Sequence, residues 1–202
     1  MLYEVFHMET YIKSAFIEAQ EALNSLIENK QTIQAIHQAS SLIVSSLRTG
    51  GRIYACGNGG SMCDAMHFAE ELSGKFRKER PALPAMAISD SAHLSCTAND
   101  FGYQSVFSRF VEGFGTKGDV LLAISTSGKS ENIINAVRSA RKYGLHSIAL
   151  TGRNDALLGE LTDIHISTPT SSPYSDRVQE LHIKCIHIMI EMCERELFPQ
   201  LY

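Results

Sequence analysis

The chain has 202 residues, of which 44% are hydrophobic and 20% charged, so it can form one ordinary domain with a substantial core. A formal net charge of −4, without a strong Lys/Arg cluster, argues against a nucleic-acid-binding protein. The longest unbroken apolar run, Val120 to Ile124, is far too short to span a bilayer, and the charged N-terminus does not resemble a signal peptide. The five cysteines lack C-x-x-C spacing, which predicts reduced thiols in a cytoplasmic protein.

Two amphipathic helices are predicted before the first strand. Apolar residues repeat every three or four positions over residues 8 to 29 and again over residues 31 to 48, and Gly50-Gly51 ends the pattern. A minimal α/β core does not require this hairpin, which lies within residues 1–49, so its apolar stripe must be buried elsewhere. A partner subunit and the chain's own sheet are equally good candidates from the pattern alone.

Strands and helices alternate through the rest of the chain. Strands are predicted at residues 53–56, 85–88, 119–124, 146–150 and 163–167. Helices are predicted from Ser61 to about Phe76, over 91–113 with an interruption near 99–102, over 131–143, near 155–161 and over 176–196. This alternation predicts a single α/β domain over residues 1–202, with a parallel sheet of about five strands covered on both faces. The basic stretch Lys75 to Arg80 is interpreted as a solvated helix end and loop.

A glycine-rich turn, Gly57-Asn58-Gly59-Gly60, leads from the first strand into a helix that opens at Ser61. Such a turn brings bare backbone N–H groups and a helix N-terminus to one point, which favours anions and hydroxyl-rich ligands. On the helix, His67 and Glu71 are four residues apart, so their side chains can converge. We therefore expect an active site here, with Glu71 as the base. Glu70 stays open as an alternative, because the helical wheel favours Glu71 only modestly.

A second polar loop, Ser125-Thr126-Ser127-Gly128-Lys129-Ser130, follows the clearest strand and precedes a helix. Its hydroxyls and the helix N-terminus suit the several acceptor oxygens of a terminal phosphate. Neither loop matches the Walker A or G-x-G-x-x-G pattern, so nucleotide binding is disfavoured. A serine-rich loop alone is more often a capped helix start. Two such loops after strands of one sheet favour a ligand site.

The two loops and several other blocks resemble a known family. C-G-N-G-G-S at 56–61 and S-T-S-G-x-S at 125–130 resemble the sugar isomerase (SIS) domain. Similarity to its phosphoheptose isomerase branch extends over nearly the whole chain, with H-F-A-E-E-L at 67–72, A-I-S-D at 87–90, N-D-F-G at 99–102 and D-R-V-Q-E-L-H-I-K-C-I-H at 176–187. The resemblance implies a three-layer α/β/α sandwich and usually a homotetramer. It also implies conversion of D-sedoheptulose 7-phosphate to D-glycero-D-manno-heptose 7-phosphate, for bacterial lipopolysaccharide core or capsule.

The resemblance also implies residue roles, by motif position. The phosphate would contact Ser125, Thr126, Ser127 and Ser130. The rest of the substrate would contact Asn58, Gly59, Gly60, Ser61, Glu71, Asn99, Asp100 and Gln179. Glu71 and His187 match the acid/base pair of the family, and zinc ligands of some members match His67, Glu71, Gln179 and His187.

Aldose–ketose exchange through an enediol needs a base that moves a proton between C1 and C2 and an acid that serves the two oxygens. Glu71 suits the base, His187 suits the acid, and Asp176 at the start of the final helix is a third candidate for proton transfer. A zinc ion could polarise the substrate oxygens, although a glutamine oxygen is an uncommon zinc donor. Whether zinc is catalytic, stabilising or incidental stays open.

A non-catalytic SIS protein is the alternative function. SIS domains also serve as phosphosugar sensors and as a tetrameric partner of the bacterial replication initiator, and Glu196-Leu197-Phe198-Pro199 looks like that partner. A binding module does not need His67, Glu71 and His187, so their presence together favours the isomerase.

Overall fold

The chain folds into alternating helices and strands. The computed structural model describes residues 2–202, with side chains from Met8 onward, so Met1 of the predicted range 1–49 lies outside the described residues. In chain order, the elements are α1 (Leu2–Glu28), α2 (Lys30–Arg48), β1 (Ile53–Gly57), α3 (Gly60–Ser73), β2 (Ala85–Ala87), α4 (Ser91–Phe101), α5 (Val106–Phe114), β3 (Val120–Ser125), α6 (Glu131–Tyr143), β4 (His146–Thr151), α7 (Leu157–Leu161), β5 (Ile164–Ser167) and α8 (Ser175–Leu197).

The five strands form one parallel sheet in the order β2-β1-β3-β4-β5, which confirms the predicted sheet. The central strands β1 and β3 pair directly, from Ile53 opposite Val120 to Gly57 opposite Ile124. The loops that follow these two strands therefore leave the carboxyl edge of the sheet side by side. This is also where the strand order reverses, the usual place for a ligand in an open α/β sheet.

The two faces of the sheet bury different helices, because successive side chains of a strand point to opposite sides. Ile53 and Ala55 of β1 belong to a core that includes buried residues of α2, α3 and α8. Tyr54 and Cys56 belong to a second core with buried residues of α5 and α6. The result is the three-layer α/β/α sandwich, with α3 and α8 neighbours on one face.

The two N-terminal helices differ in how they are buried. In α2, Ile36, Ala39 and Ile43 pack in the core against the chain's own sheet. In α1, apolar side chains such as Ile12 and Phe16 are exposed, the latter at 73%. No helix among residues 2–202 is long and apolar enough to cross a membrane.

Helix α3 is shorter than predicted, and one basic residue after its end is buried. It ends at Ser73 instead of about Phe76, and Gly74 N–H closes the last turn on the Glu70 carbonyl. The side chain of Arg80 is 0% exposed and donates to the carbonyls of Leu72 and Gly74. The interpretation of Lys75 to Arg80 as a solvated loop is therefore wrong for Arg80. Sequence pattern did not reveal that its charge caps a helix end.

Candidate active site

The glycine-rich loop after β1 is shaped by side chains that pack closely on its backbone. Gly59 has φ of 55°, a conformation that favours glycine. A Cβ atom on Gly60 would lie 2.6 Å from Nε2 of Gln179, so the amide of this α8 residue rests on the loop. Ser61 is buried in the first turn of α3. The structure thus brings the predicted residues Gly60 and Gln179 together.

Asn58 joins this loop to the neighbouring one. Its side-chain amide and that of Asn132 exchange two hydrogen bonds, of 2.9 and 2.8 Å. The Tyr103 hydroxyl also donates to Oδ1 of the Asn58 side chain, at 3.1 Å. Asn132 lies in the first turn of α6, just after the serine loop. Sequence analysis missed Asn132 and Tyr103, because neither lies in a motif that marks a contact with Asn58.

The serine loop between β3 and α6 is held by its own hydroxyls. The Oγ atoms of Ser125 and Ser130 lie 3.1 Å apart, and the Gly128 N–H donates to Ser125 Oγ at 3.2 Å. Ser127 is exposed, with its Oγ accepting from the Lys129 N–H at 3.2 Å. Ser125 and Ser130 therefore shape the loop, while Ser127 presents a hydroxyl to solvent. This arrangement can donate to an anion from several directions.

A cavity of about 620 Å³ lies beside the serine loop. Thr126 and Ser127 line one side, and Tyr174, Ser175 and Val178 at the start of α8 line another. Its remaining walls come from residues 152–155 and from the loop before α8, with Pro169, Thr170, Ser172 and Pro173. The cavity therefore lies between the predicted phosphate loop and the first turn of α8, and its lining does not include His67, Glu71, Gln179 or His187.

The predicted acid/base and metal residues meet between α3 and α8. The Nε2 atoms of His67 and His187 lie 2.9 Å apart, and Oε1 of Glu71 lies 3.6 Å from His67 Nε2. One ligand atom from each of the three residues lies within 4.8 Å of the others, a spacing that could hold one metal ion. Two imidazoles and a carboxylate are donors that zinc accepts. Oε1 of Glu70 lies 3.2 Å from the other ring nitrogen, Nδ1, of His67.

Two further residues lie next to this cluster. The ring of Phe76 packs on His187, with centroids 5.8 Å apart. Burial, and then the nearby His67, lower the pKa of His187. Burial also raises the pKa of Asp64 to about 6, and its Oδ2 is buried without a hydrogen-bond partner. Sequence analysis overlooked Asp64 and Phe76, although Asp64 lies one turn before His67 and the helical period could have shown this.

Other predicted site residues lie at the surface. Asn99 and Asp100 are exposed near the end of α4, where the Asn99 amide donates to Asp100 at 2.8 Å. Asp176 is exposed in the first turn of α8 and accepts from the Arg177 N–H at 2.8 Å. Their roles toward a substrate stay predictions.

Comparisons with known proteins identify the family to which the chain belongs. A sequence model of the SIS domain matches residues 15–152. The chain is 53% identical over 186 residues to a phosphoheptose isomerase of Histophilus somni (strain 2336), an alignment that covers 92% of this chain and 95% of the relative. The structure of the phosphoheptose isomerase GmhA from Neisseria gonorrhoeae matches with a TM-score of 0.85 and 36% identity, over 93% of this chain and 98% of that one. A phosphoheptose isomerase from Francisella tularensis gives a TM-score of 0.87 at 33% identity, over 93% and 98%.

Proposed function

The chain belongs to the phosphoheptose isomerases of the SIS domain family, and we propose that Glu71 and His187 carry out its conversion of D-sedoheptulose 7-phosphate to D-glycero-D-manno-heptose 7-phosphate. The meeting of His67, Glu71 and His187 between α3 and α8 is the observation that carries this proposal. The product would supply heptose for lipopolysaccharide core or capsule.

The reaction moves one proton from C1 to C2 of the sugar. Glu71 removes the C1 proton, and the electron pair of that bond forms the C1–C2 double bond of an enediol. Glu71 then returns the proton to C2, while protons exchange between the two oxygens. His187 serves these oxygens. Because its pKa is lowered, its neutral imidazole predominates at neutral pH and hydrogen-bonds to the substrate oxygens as they gain charge.

Substrate orientation is assigned to the two loops. Ser127, Thr126 and Ser130 bind the terminal phosphate, and the serine loop's backbone N–H groups assist. Asn58, Gly59 and Gly60 contact the sugar, together with Gln179, whose amide already rests on this loop. The proposal is supported by the cavity that runs between the serine loop and α8.

Zinc is the proposed cofactor. His67, Glu71 and His187 would hold it. Gln179, the fourth ligand that the resemblance implies, does not join them within this chain, because it precedes His187 by eight residues, about 12 Å along α8, and its amide packs on Gly60. When bound, zinc would supply positive charge that stabilises the developing enediolate. Glu70 would orient His67 through the other ring nitrogen, the usual arrangement for a metal-binding histidine.

A cytoplasmic homotetramer is also part of the proposal. All five cysteines are free thiols, as is usual in the cytoplasm. The exposed apolar face of α1 supports an interface made by the N-terminal helices, because contiguous apolar patches of a soluble protein often mark contacts between subunits.

Turnover of D-sedoheptulose 7-phosphate tests the function directly. The purified protein should convert it to the manno-heptose phosphate, identified by product analysis, and the assay should be repeated with a chelator and after added zinc. Loss of turnover with the chelator and recovery with zinc would support the metal. Binding of the phosphosugar without turnover in any condition would contradict the isomerase and favour a non-catalytic sensor or scaffold.

A further inference from the structure

The guanidinium of Arg80 donates hydrogen bonds to several backbone carbonyls at the end of α3. Its Nη2 donates to the carbonyl of Glu71 at 2.8 Å, and its Nη1 donates to the carbonyl of Leu72 at 2.6 Å. Further acceptors of Nη1 are the carbonyls of Gly74 and Pro81, at 3.1 and 3.2 Å. The backbone of the proposed base is therefore held directly by this guanidinium.

The same guanidinium reaches across to α8. Its Nε donates to Oε1 of Glu194 at 3.0 Å, and both side chains are 0% exposed. The second carboxylate oxygen of Glu194 accepts from the Tyr202 hydroxyl at 2.8 Å. Glu194 follows His187 by seven residues, so at 100° per residue the two side chains lie within about 20° on α8. The face of α8 that brings His187 to the cluster also brings Glu194 to Arg80.

We propose that Arg80, fixed by Glu194 and Tyr202, is a positioning residue that sets the distance between Glu71 on α3 and His187 on α8. A buried ion pair is weak support for stability, because desolvating both charges offsets much of their attraction. A guanidinium instead offers a rigid planar fork of donors, which fixes the directions of several partners at once. The inference rests on the proposed function, since it assigns Arg80 a role in the same cluster.

The proposed reaction requires a fixed distance between Glu71 and His187. Glu71 and His187 belong to different helices, so a shift of α3 along α8 would separate the proposed base from its partner. A misplacement of about 1 Å costs on the order of 10²-fold in rate. The serine loop follows β3, which Arg80 does not contact, so phosphate binding should not change.

Arg80→Lys is the variant that tests this role, because lysine keeps the charge and loses the fork. We expect kcat to fall at least about tenfold, with KM for D-sedoheptulose 7-phosphate within about twofold of the wild type. Zinc affinity, measured by competition with a chelating dye, should fall about tenfold. The matched control is Arg48→Lys, since Arg48 also joins another helix to α8 through Glu196 but lies far from the cluster. It should leave all three quantities unchanged.

A lower melting temperature with wild-type kcat and zinc affinity would overturn the proposal and make Arg80 a stabilising residue only. If Arg80→Lys does not fold, Tyr202→Phe tests the positioning role of Arg80 in its place. This variant removes one hydrogen bond to Glu194 and leaves the ion pair between Arg80 and Glu194 intact. It should lower kcat and zinc affinity about threefold, and unchanged values would overturn the proposal.

Failure of the proposed isomerase function can be distinguished from failure of the Arg80 proposal by the behaviour of the wild type. If the wild type binds zinc but does not turn over the phosphosugar, the isomerase fails and the zinc affinities of the variants still decide the role of Arg80. If the wild type converts the phosphosugar without binding zinc, the kcat values of the variants alone test the role of Arg80. If the wild type shows neither activity nor zinc binding, both proposals are overturned.

Discussion

The Nε2 atoms of His67 and His187 lie 2.9 Å apart, although 120 residues separate the two histidines in the chain. The contact joins α3, which follows the first strand of the core, to α8, the last helix. Each ring has a further partner, because Glu70 contacts His67 and Phe76 packs on His187. The cluster is therefore a product of helix packing, and variants that leave the packing intact can test its chemistry.

Glu71→Gln should lower kcat by at least about 10²-fold, because the amide cannot accept the C1 proton. KM should change little, since the phosphate is held elsewhere. Steady-state kinetics with D-sedoheptulose 7-phosphate would measure both. Glu112→Gln, at an exposed ion pair on α5, is the control and should behave as the wild type. A greater loss in Glu70→Gln than in Glu71→Gln would transfer the base role to Glu70.

Ser127→Ala should raise KM about tenfold while kcat stays within about twofold, because one hydrogen bond to a charged phosphate is lost. Ser127 is a better choice than Ser125, whose buried hydroxyl holds the loop through Gly128. Thr49→Ala removes a hydroxyl at the end of α2 and serves as the control. An unchanged KM in Ser127→Ala would place the phosphate elsewhere.

His182 should make the folded chain sensitive to acid. It is 0% exposed, and burial lowers its pKa to about 4, although a backbone hydrogen bond at Thr151 acts in the opposite direction. Between pH 6.5 and 4 the unfolded chain binds a proton here that the folded chain does not, so the free energy of unfolding falls as pH falls. From pH 7 to 5.5 this residue alone should account for about 1 kcal/mol.

Urea unfolding of wild type and His182→Leu at both pH values, at one protein concentration, would measure this difference. The variant should lose about 1 kcal/mol less on acidification. His37→Gln, which changes an exposed histidine of α2, is the control and should follow the wild type. Equal losses in wild type and His182→Leu would contradict the prediction.

Phe16→Asp should yield a smaller assembly than the wild type in light scattering. Phe16 is exposed in the single chain, so a charge there costs the monomer little but would be buried without a partner in an interface. Gln20→Asp, exposed on the same helix, is the matched control. A tetramer in both variants would remove this face of α1 from the interface.

The local sequence pattern predicted the features that depend on residues close together in the chain. Apolar repeats every three or four residues predicted the helices, and short apolar runs predicted the strands, to within a few residues. The four-residue spacing of His67 and Glu71 predicted that their side chains converge. His187 was different, because its helical face could be derived from the sequence but the helix that it meets could not. Only the family resemblance pointed to that contact.

Apart from Asp64, the missed residues share one property, which is that their contacts are distant in sequence. Asn132 meets Asn58 across 74 residues, and Arg80 meets Glu194 across 114. The composition and periodicity of the sequence do not show which partner an asparagine, or a basic residue within a charged stretch, will contact. The end of α3 was predicted too late for a more local reason, because the charge that caps it comes from Arg80, which follows the helix by several residues.

The residues of the two polar loops and those of the cluster between α3 and α8 are synthesised at different times. β1 and β3, with the two loops that follow them, are made before α8 exists, whereas the cluster needs α8 packed against α3. Chains emerge from the ribosome N-terminus first, and contacts between distant residues form slowly. The cluster of His67, Glu71 and His187 is therefore completed only after the final helix has been synthesised and has packed against α3.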